Sequence, residues 1–482
     1  MRSITLPKEA EMEDKIMTYD DLPNAEIESA VEEVTSFIEE YVEAKKYREL
    51  RELIQELPAP DVAEIFSETQ KKYHTVLFRL LPKELAAETF VEMDTDTQRR
   101  LIESFTDAEL SEILSELYID DTVDLIEEMP AMVVKRILKT STPQDRAAIN
   151  TILNYPKSSA GSVMTTEYVR FIESMNVEAA LTHIRRVAID KETIYTCYVT
   201  DRDRHLLGVV TAKQLLTAEL ETPLTDIMDD NVILVHTHDD REEVANKLDK
   251  YGFLAMPVAD SEGRLVGIIT LDDAIEVIRE ESEEDFAKMA AITPTETPYL
   301  KTSVFSLWRS RVPWLLILML SSTISSAILS GFEAALPAVL VLFVPMIMGT
   351  GGNSGGQSSV TVTRSISLSE VEFSDLLAVF WKELRVGIMC GGVLGVVTFA
   401  KVILVDKLLL GNASVTVPVA AAVALSLTVT IIVAKIIGAV LPIVAKKIGL
   451  DPAVMASPLI TTLVDAISLI LYFFVSTGIL GL

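Results

Sequence analysis

The chain has 482 residues, room for several domains, and a formal net charge of −29. From Lys301 onward there are 11 basic and 8 acidic residues, leaving 31 and 63 before it, so the first part carries −32 and the second +3. An acidic surface repels nucleic acid and attracts cations, so no nucleic-acid partner is expected. Cys197 and Cys390 are too few for a disulfide framework, and the five histidines show no zinc spacing. The opening MRSITLPKEAEMEDK lacks the apolar core of a signal peptide. The acidic part is therefore expected in a reducing cytosol.

Residues 1–155 read as an acidic helical domain. A polar helix is expected over Ala25–Tyr47, followed by a repeat. Leu57-Pro58, Leu81-Pro82, Phe105-Thr106 and Met129-Pro130 recur every 24 residues, each ahead of a short amphipathic segment. Proline suits a helix start, where its missing N–H has no partner to lose. A two-helix unit at constant period predicts an all-α superhelical array, usually an interaction surface. No catalytic constellation appears in it.

Residues 156–280 change period. Strand, helix, two strands and helix occur twice, and the turns match: HLLGVVT against RLVGIIT, with Gly208 against Gly267. These copies resemble a tandem CBS pair, an α/β module that commonly binds adenosine nucleotides between its copies. Residues Thr270 to Asp273 and Phe253 are the nucleotide candidates. No residue pattern there demands phosphate, so ATP or another adenosine nucleotide is a secondary expectation. EVIREESEEDFAKMAAI then predicts a helix within a connector, 281–312, interrupted by Pro294 and Pro298.

Residues 313–482 contain apolar runs long enough to span a bilayer at about 313–336, 337–361, 385–411, 415–445 and 453–481. Arg364, Lys382 and Arg385 follow the second run and Lys446 and Lys447 the fourth, so the N-terminal domains are expected in the cytosol. The second run ends in PMIMGTGGNSGGQSS, whose glycines are expected to weaken the helix. Broken backbone at that depth is tolerated only where protein buries it or a watery cavity borders it. The alternative is tight helix packing through small residues. Asn353, Ser354 and Gln357 add side-chain oxygens.

Asp465 lies well inside the last run, and a carboxylate there costs roughly 3 kcal/mol to insert, so it faces the bundle interior or water and marks an ion path. The bland reading is a carboxyl hydrogen-bonded to a neighbouring helix. Neutral oxygens with one carboxylate suit a hard cation that stays hydrated, such as magnesium. Calcium favours more carboxylates; the pattern leaves sodium and protons open.

GFEAAL at 331–336, GTGGNSGGQS and DPAVMASPLITTLVD at 451–465, with this domain order, resemble the MgtE family of magnesium channels and transporters. The resemblance covers essentially the whole chain. It implies a multidomain fold with an all-α cytosolic superhelical domain, a CBS pair, a plug helix and five transmembrane helices per subunit. It further implies a homodimer in the cell membrane with a pore on the two-fold axis, closed when magnesium bridges acidic groups of the cytosolic domains. Under it Asp465 is the pore carboxylate, with Asn353 and Ser457 nearby; Ser457 stands where the family commonly has Asn. Asp240, Glu242, Asp273, Glu276, Glu284 and Asp285 fall at sensor positions and Asp451 at the cytosolic mouth, while Asp120, Asp121 and Asp124 resemble an acidic turn. Gly252 replaces an acid of some relatives, and Lys435 stands where a neutral polar residue is usual. A non-conducting, membrane-anchored CBS sensor is the alternative, against which Asp465 and the glycine run both count. An enzyme would need a catalytic dyad that the spans do not offer.

Overall fold

In a computed structural model of the chain, the structure describes residues 38, 40–295, 299–300, 302–333, 337–368, 370–455 and 457–481. The expected Ala25–Tyr47 helix lies mostly outside them, as does part of GFEAAL. Two compact units divide between Ile275 and Glu276.

The first unit opens with short helices: α1 (Tyr47–Ile54), α2 (Ala59–Glu68), α3 (His74–Phe78), α4 (Lys83–Val91), α5 (Thr95–Ser104), α6 (Asp107–Leu114), α7 (Ile119–Glu128), α8 (Ala131–Thr140) and α9 (Pro143–Ile152). Pro58, Pro82 and Pro130 stand immediately before α2, α4 and α8. At the one repeat without proline, Thr106 replaces it with a reciprocal cap. The Glu109 N–H donates to the Thr106 hydroxyl at 3.2 Å, and the Thr106 N–H donates to the Glu109 carboxylate at 2.8 Å. Such a cap contributes about 1 kcal/mol. The repeat also sets the core. Phe66 and Phe90 lie one 24-residue period apart, and both rings pack edge-on against Phe78, at 6.4 and 6.0 Å.

The CBS copies follow. In the first, β1 (Tyr168–Ile172) pairs in parallel with β2 (Thr193–Thr200), which pairs antiparallel with β3 (Leu206–Thr211); α10 (Val177–Val187) and α11 (Ala212–Thr217) flank them. In the second, β4 (Val235–His236), β5 (Ala255–Ala259) and β6 (Leu265–Thr270) repeat this order, with α12 (Arg241–Tyr251) between β4 and β5. The segments ahead of each copy are exchanged. Asp229 exchanges two backbone hydrogen bonds of 2.9 Å with Val209 of the first copy, and Thr165 exchanges bonds of 2.8 and 2.9 Å with Ile268 of the second. The matched glycines make this crossing possible. A Cβ on Gly208 would stand 2.7 Å from Met228 Sδ, and one on Gly267 would stand 2.7 Å from Met164 Sδ.

The connector helix α13 (Leu271–Met289) runs without interruption from the end of β6, so the expected division at residue 280 falls inside one helix. The second unit then holds five helices apolar enough to cross a membrane: α14 (Val304–Glu333), α15 (Val344–Ser367) after a single turn at Ala338–Val341, α16 (Leu376–Lys401) continued by wider turns at Val402–Leu409, α17 (Val417–Lys447) and α18 (Ser457–Leu480). The glycine run does not break the helix: α15 continues through it. Its glycines instead admit neighbours. A Cβ on Gly355 would meet Ile460 and Val464 at 3.1 Å, and one on Gly438 would collide with the Gly355 carbonyl oxygen. Small residues let helices approach closely where lipid supplies no hydrophobic drive between them. Elsewhere, the Thr428 hydroxyl donates to the Gly391 carbonyl at 3.0 Å and the Tyr472 hydroxyl to the Leu340 carbonyl at 2.7 Å.

Gly438→Ala is expected to destabilise the bundle by about 1–3 kcal/mol, the usual cost of overpacking. Gly392→Ala, with open space around its Cβ, is expected to leave it unchanged or firmer. Thermal unfolding of the full chain in detergent checks the contrast.

Candidate functional site

The glycine face of α15 meets α18 around Asp465. A Cβ on Gly352 would lie 3.5 Å from Asp465 Oδ1, and that oxygen is buried with no hydrogen-bond partner. The bland reading of Asp465, a carboxyl bonded to the next helix, therefore has no partner for Oδ1 among the described residues. Ser354, on the same helix, has its hydroxyl oxygen similarly buried and unpartnered. Asn353 follows Gly352 but lies on the other side of α15, where Asn353, Gln357, Thr361 and Arg364 form one line that the chain leaves uncovered. Their spacing of three or four residues places them on one helix face. Ser457 begins α18, but its side chain lies outside the described structure.

Lys435 is 6 % exposed, buried among the spans. Its Nζ donates to the Ser358 hydroxyl at 3.3 Å, and Ser358 donates to Glu383 Oε2 at 2.6 Å. Three spans thus share a lysine–serine–glutamate chain, which is how this sequence accommodates a cation where the resemblance led us to expect a neutral side chain. Sequence reading missed Ser358 and Glu383. A lone charge in an apolar run signals that a partner must exist, but it does not say where.

In the first unit Asp120, Asp121 and Asp124, expected as an acidic turn, lie on the first two turns of helix α7. Asp120 is buried at the start of α7, with Oδ1 unpartnered, while Asp121 is half-buried and Asp124 exposed. Burial pushes the Asp120 carboxyl well above its ordinary range, and the charges of Asp273, Asp121 and Glu192 push it further. Burial and the neighbouring Asp272 and Asp121 raise Asp273 to about 7, although the Thr270 hydroxyl bonded to it pulls the other way. Glu192 rises to about 8 from burial and from Asp273 and Asp121. Glu167 accepts the Ile119 N–H at 3.0 Å, tying α7 to the CBS pair. Neither Glu192 nor Glu167 stood out in the sequence, since only folding brings them to the acidic turn. Among the described residues, no three His, Cys, Asp or Glu side chains converge as a ready metal cage.

The remaining candidates are placed as follows. Asp240 is the exposed cap of α12, accepting the Glu242 and Glu243 N–H groups at 2.9 and 3.3 Å. Glu276 is exposed, and Phe253 is half-buried with its ring stacked on Tyr251 at 5.5 Å. On α13, Lys288 bridges Glu284 and Asp451, with both contacts at 2.7 Å. Asp285 accepts the Ser367 hydroxyl at 2.7 Å, while burial raises its carboxyl. A lysine thus joins the connector to the loop before α18, a link that no pattern in the sequence indicates.

A unit of five membrane-length apolar helices with a half-buried carboxylate, in one chain with a CBS pair and a helical array, defines a membrane transport protein. The chain matches the family profile described as the divalent cation transporter MgtE over residues 344–475, the MgtE intracellular N domain over 57–158, and CBS domains over 160–221 and 224–280. It is 35% identical to the magnesium transporter MgtE of Thermus thermophilus over 447 residues, 92% of this chain and 97% of that one. It is 32% identical to the magnesium transporter MgtE of Bacillus subtilis, over 90% and 94% of the two chains. Among solved structures, it resembles the cytosolic domain of the Mg2+ channel MgtE in complex with ATP, at 35% identity and a TM-score of 0.48, covering 51% of this chain and all of that one. The chain belongs to the MgtE family.

Two outcomes follow. Glu383→Gln leaves the Lys435 charge buried without its counter-charge and is expected to cost about 3–5 kcal/mol, whereas Glu383→Gln with Lys435→Met recovers most of it; detergent melting curves distinguish them. In the acidic turn, folded-state pKa values stand above the unfolded ones. The stability they contribute is complete below the ordinary carboxylate pKa and lost as pH rises through about 7 and 8. Glu192→Gln is therefore expected to match wild type near pH 5 and to melt a few degrees higher near pH 8 without magnesium, roughly 2–4 °C per kcal/mol relieved.

Proposed function

We propose that the chain carries Mg2+ across the cell membrane as a homodimer, with its N-terminal domains in the cytosol. The observation that carries this reading is the buried Asp465 oxygen without a partner, packed against a glycine of α15. A carboxylate in an apolar span is retained where it meets a cation or water. The names of the two relatives, both magnesium transporters, supply the ion. A hydrated Mg2+ needs few charged protein ligands because it gives up its waters reluctantly, so the single carboxylate of Asp465 suffices, and Asn353, on the uncovered face of α15, would border the hydrated path rather than share that site.

The uncovered line of Asn353, Gln357, Thr361 and Arg364 supports the dimer. Hydrocarbon cannot solvate such a face, so it borders either a watery path or a second copy, and a pore on a two-fold axis provides both. The acidic turn supports feedback by Mg2+ on the cytosolic side. Asp120, Asp121, Asp273 and Glu192 repel one another, and Asp120 and Glu192 each have a buried oxygen without a partner. A hydrated cation there would relieve that repulsion and hold the helical domain to the CBS pair, while Asp240, Glu242 and Asp124 add surface charge. On α13, Glu276, Glu284 and Asp285 would carry the same signal toward the spans, with Asp451 at the mouth. Thr270, Asp273 and Phe253 are the residues that would receive an adenosine nucleotide. We assign residues 1–155, 156–280, 281–312 and 313–482 to the helical, CBS, connector and pore functions, and no enzymatic step.

The test is growth of a bacterial strain lacking its own magnesium importers. Wild type is expected to restore growth in low magnesium, Asp465→Glu partly, and Asp465→Ala not at all despite equal membrane levels. Rescue by Asp465→Ala would contradict the pore assignment. Feedback is checked separately: Asp273→Asn, Glu284→Gln and Asp285→Asn together are expected to keep conducting at magnesium levels that close wild type. Closure indistinguishable from wild type would overturn the bridging reading.

A further inference from the structure

A cavity of about 310 Å³ opens in the second unit where α15 ends and α17 ends. Its apolar side is formed by Ile366, Val371, Ile443 and Phe373, and its polar side by Lys446 and Lys447. Ile366 and Ile443 are almost fully buried, so the floor is fixed, and Glu370 and Val371 both donate backbone hydrogen bonds to the Ser365 carbonyl, at 2.8 and 3.2 Å, which fixes the loop. Lys447 lies 5.1 Å from the centre of the Phe373 ring. Neither lysine forms an ion pair among the described residues. Glu372 also lines the cavity, but its carboxylate accepts the Asp375 N–H and caps the following turn.

Apolar walls joined to two unpaired ammonium groups, at the end of a membrane span, match an amphiphile with an anionic head. Basic pockets between spans on the cytosolic side hold lipid headgroups, and a cation-bearing aromatic at the rim suits the boundary between chain and head. We propose that this cavity binds one anionic phospholipid of the cytosolic leaflet, with its phosphate on Lys446 and Lys447 and its upper acyl chain on Ile366, Val371 and Ile443. The side of the membrane rests on the orientation proposed above; the lipid readout below requires no magnesium transport. Ile366 precedes Ser367, the partner of Asp285 on α13, so the lipid would steady the loop beside that contact.

Full-length protein is released from nanodiscs of equimolar phosphatidylglycerol and phosphatidylcholine and weighed by native mass spectrometry. Wild type is expected to retain phosphatidylglycerol in preference to phosphatidylcholine. Lys446→Gln with Lys447→Gln is expected to cut that preference by about 25-fold, each lysine near an anionic surface contributing about a factor of five. Lys382→Gln, a basic residue of the same boundary outside the cavity, is expected to leave it intact. Added inorganic phosphate is expected not to displace the lipid from wild type. Equal retention of both lipids by wild type, undiminished preference in the double variant, an equal loss in Lys382→Gln, or displacement by phosphate would each overturn the proposal. Should the double variant misfold, Phe373→Ala and the wild-type competition with phosphate decide it.

Discussion

The second unit depends on how polar groups are satisfied inside an apolar bundle. Hydrocarbon offers no partner to a charge or an orphaned oxygen, so each such group must find one in the protein, in water or in an ion. The structure shows two solutions side by side. Lys435 and Glu383 are joined through Ser358 and need nothing from outside. Asp465 keeps a buried oxygen unpartnered. This difference separates charges paired within the bundle from one oxygen left without a partner among the described residues.

The glycines serve the same end. By letting α15 approach α17 and α18 at Gly355 and Gly438, they bring Gly352 against Asp465 without breaking the helix. The opposite face of α15 remains polar and uncovered, at Asn353, Gln357, Thr361 and Arg364. The first unit uses charge differently. Its acids are forced together by burial at α7 and the end of β6, and their raised proton affinities record the repulsion. The two arrangements are chemically related, since both hold negative oxygens that a hydrated divalent cation would neutralise.

Much of this was legible in the sequence. The 24-residue period announced the helical array because each repeat places a helix start at the same register, and the matched Gly208 and Gly267 announced the CBS copies because both glycines face an exchanged segment. Five apolar runs gave the spans. The continuity of α15 was not legible: composition records that glycine weakens a helix, but not that neighbouring helices hold it in place. The partners of Lys435, the gathering of Glu192 and Glu167 at the acidic turn, and the bridge made by Lys288 were hidden too. Each depends on groups 25 to 163 residues apart meeting in space, and a single sequence carries no trace of such pairs.

The most direct measurement of the central claim is magnesium flux into liposomes containing the purified full chain, with low magnesium on the cytosolic face, for wild type and Asp465→Ala. The account predicts flux through wild type and a fall on the order of ten-fold or more in a folded variant, because the attraction of a carboxylate for a divalent ion at close range is worth at least a few kcal/mol outside bulk water. Equal flux through both would contradict the role of Asp465, and no flux through wild type would contradict the pore itself.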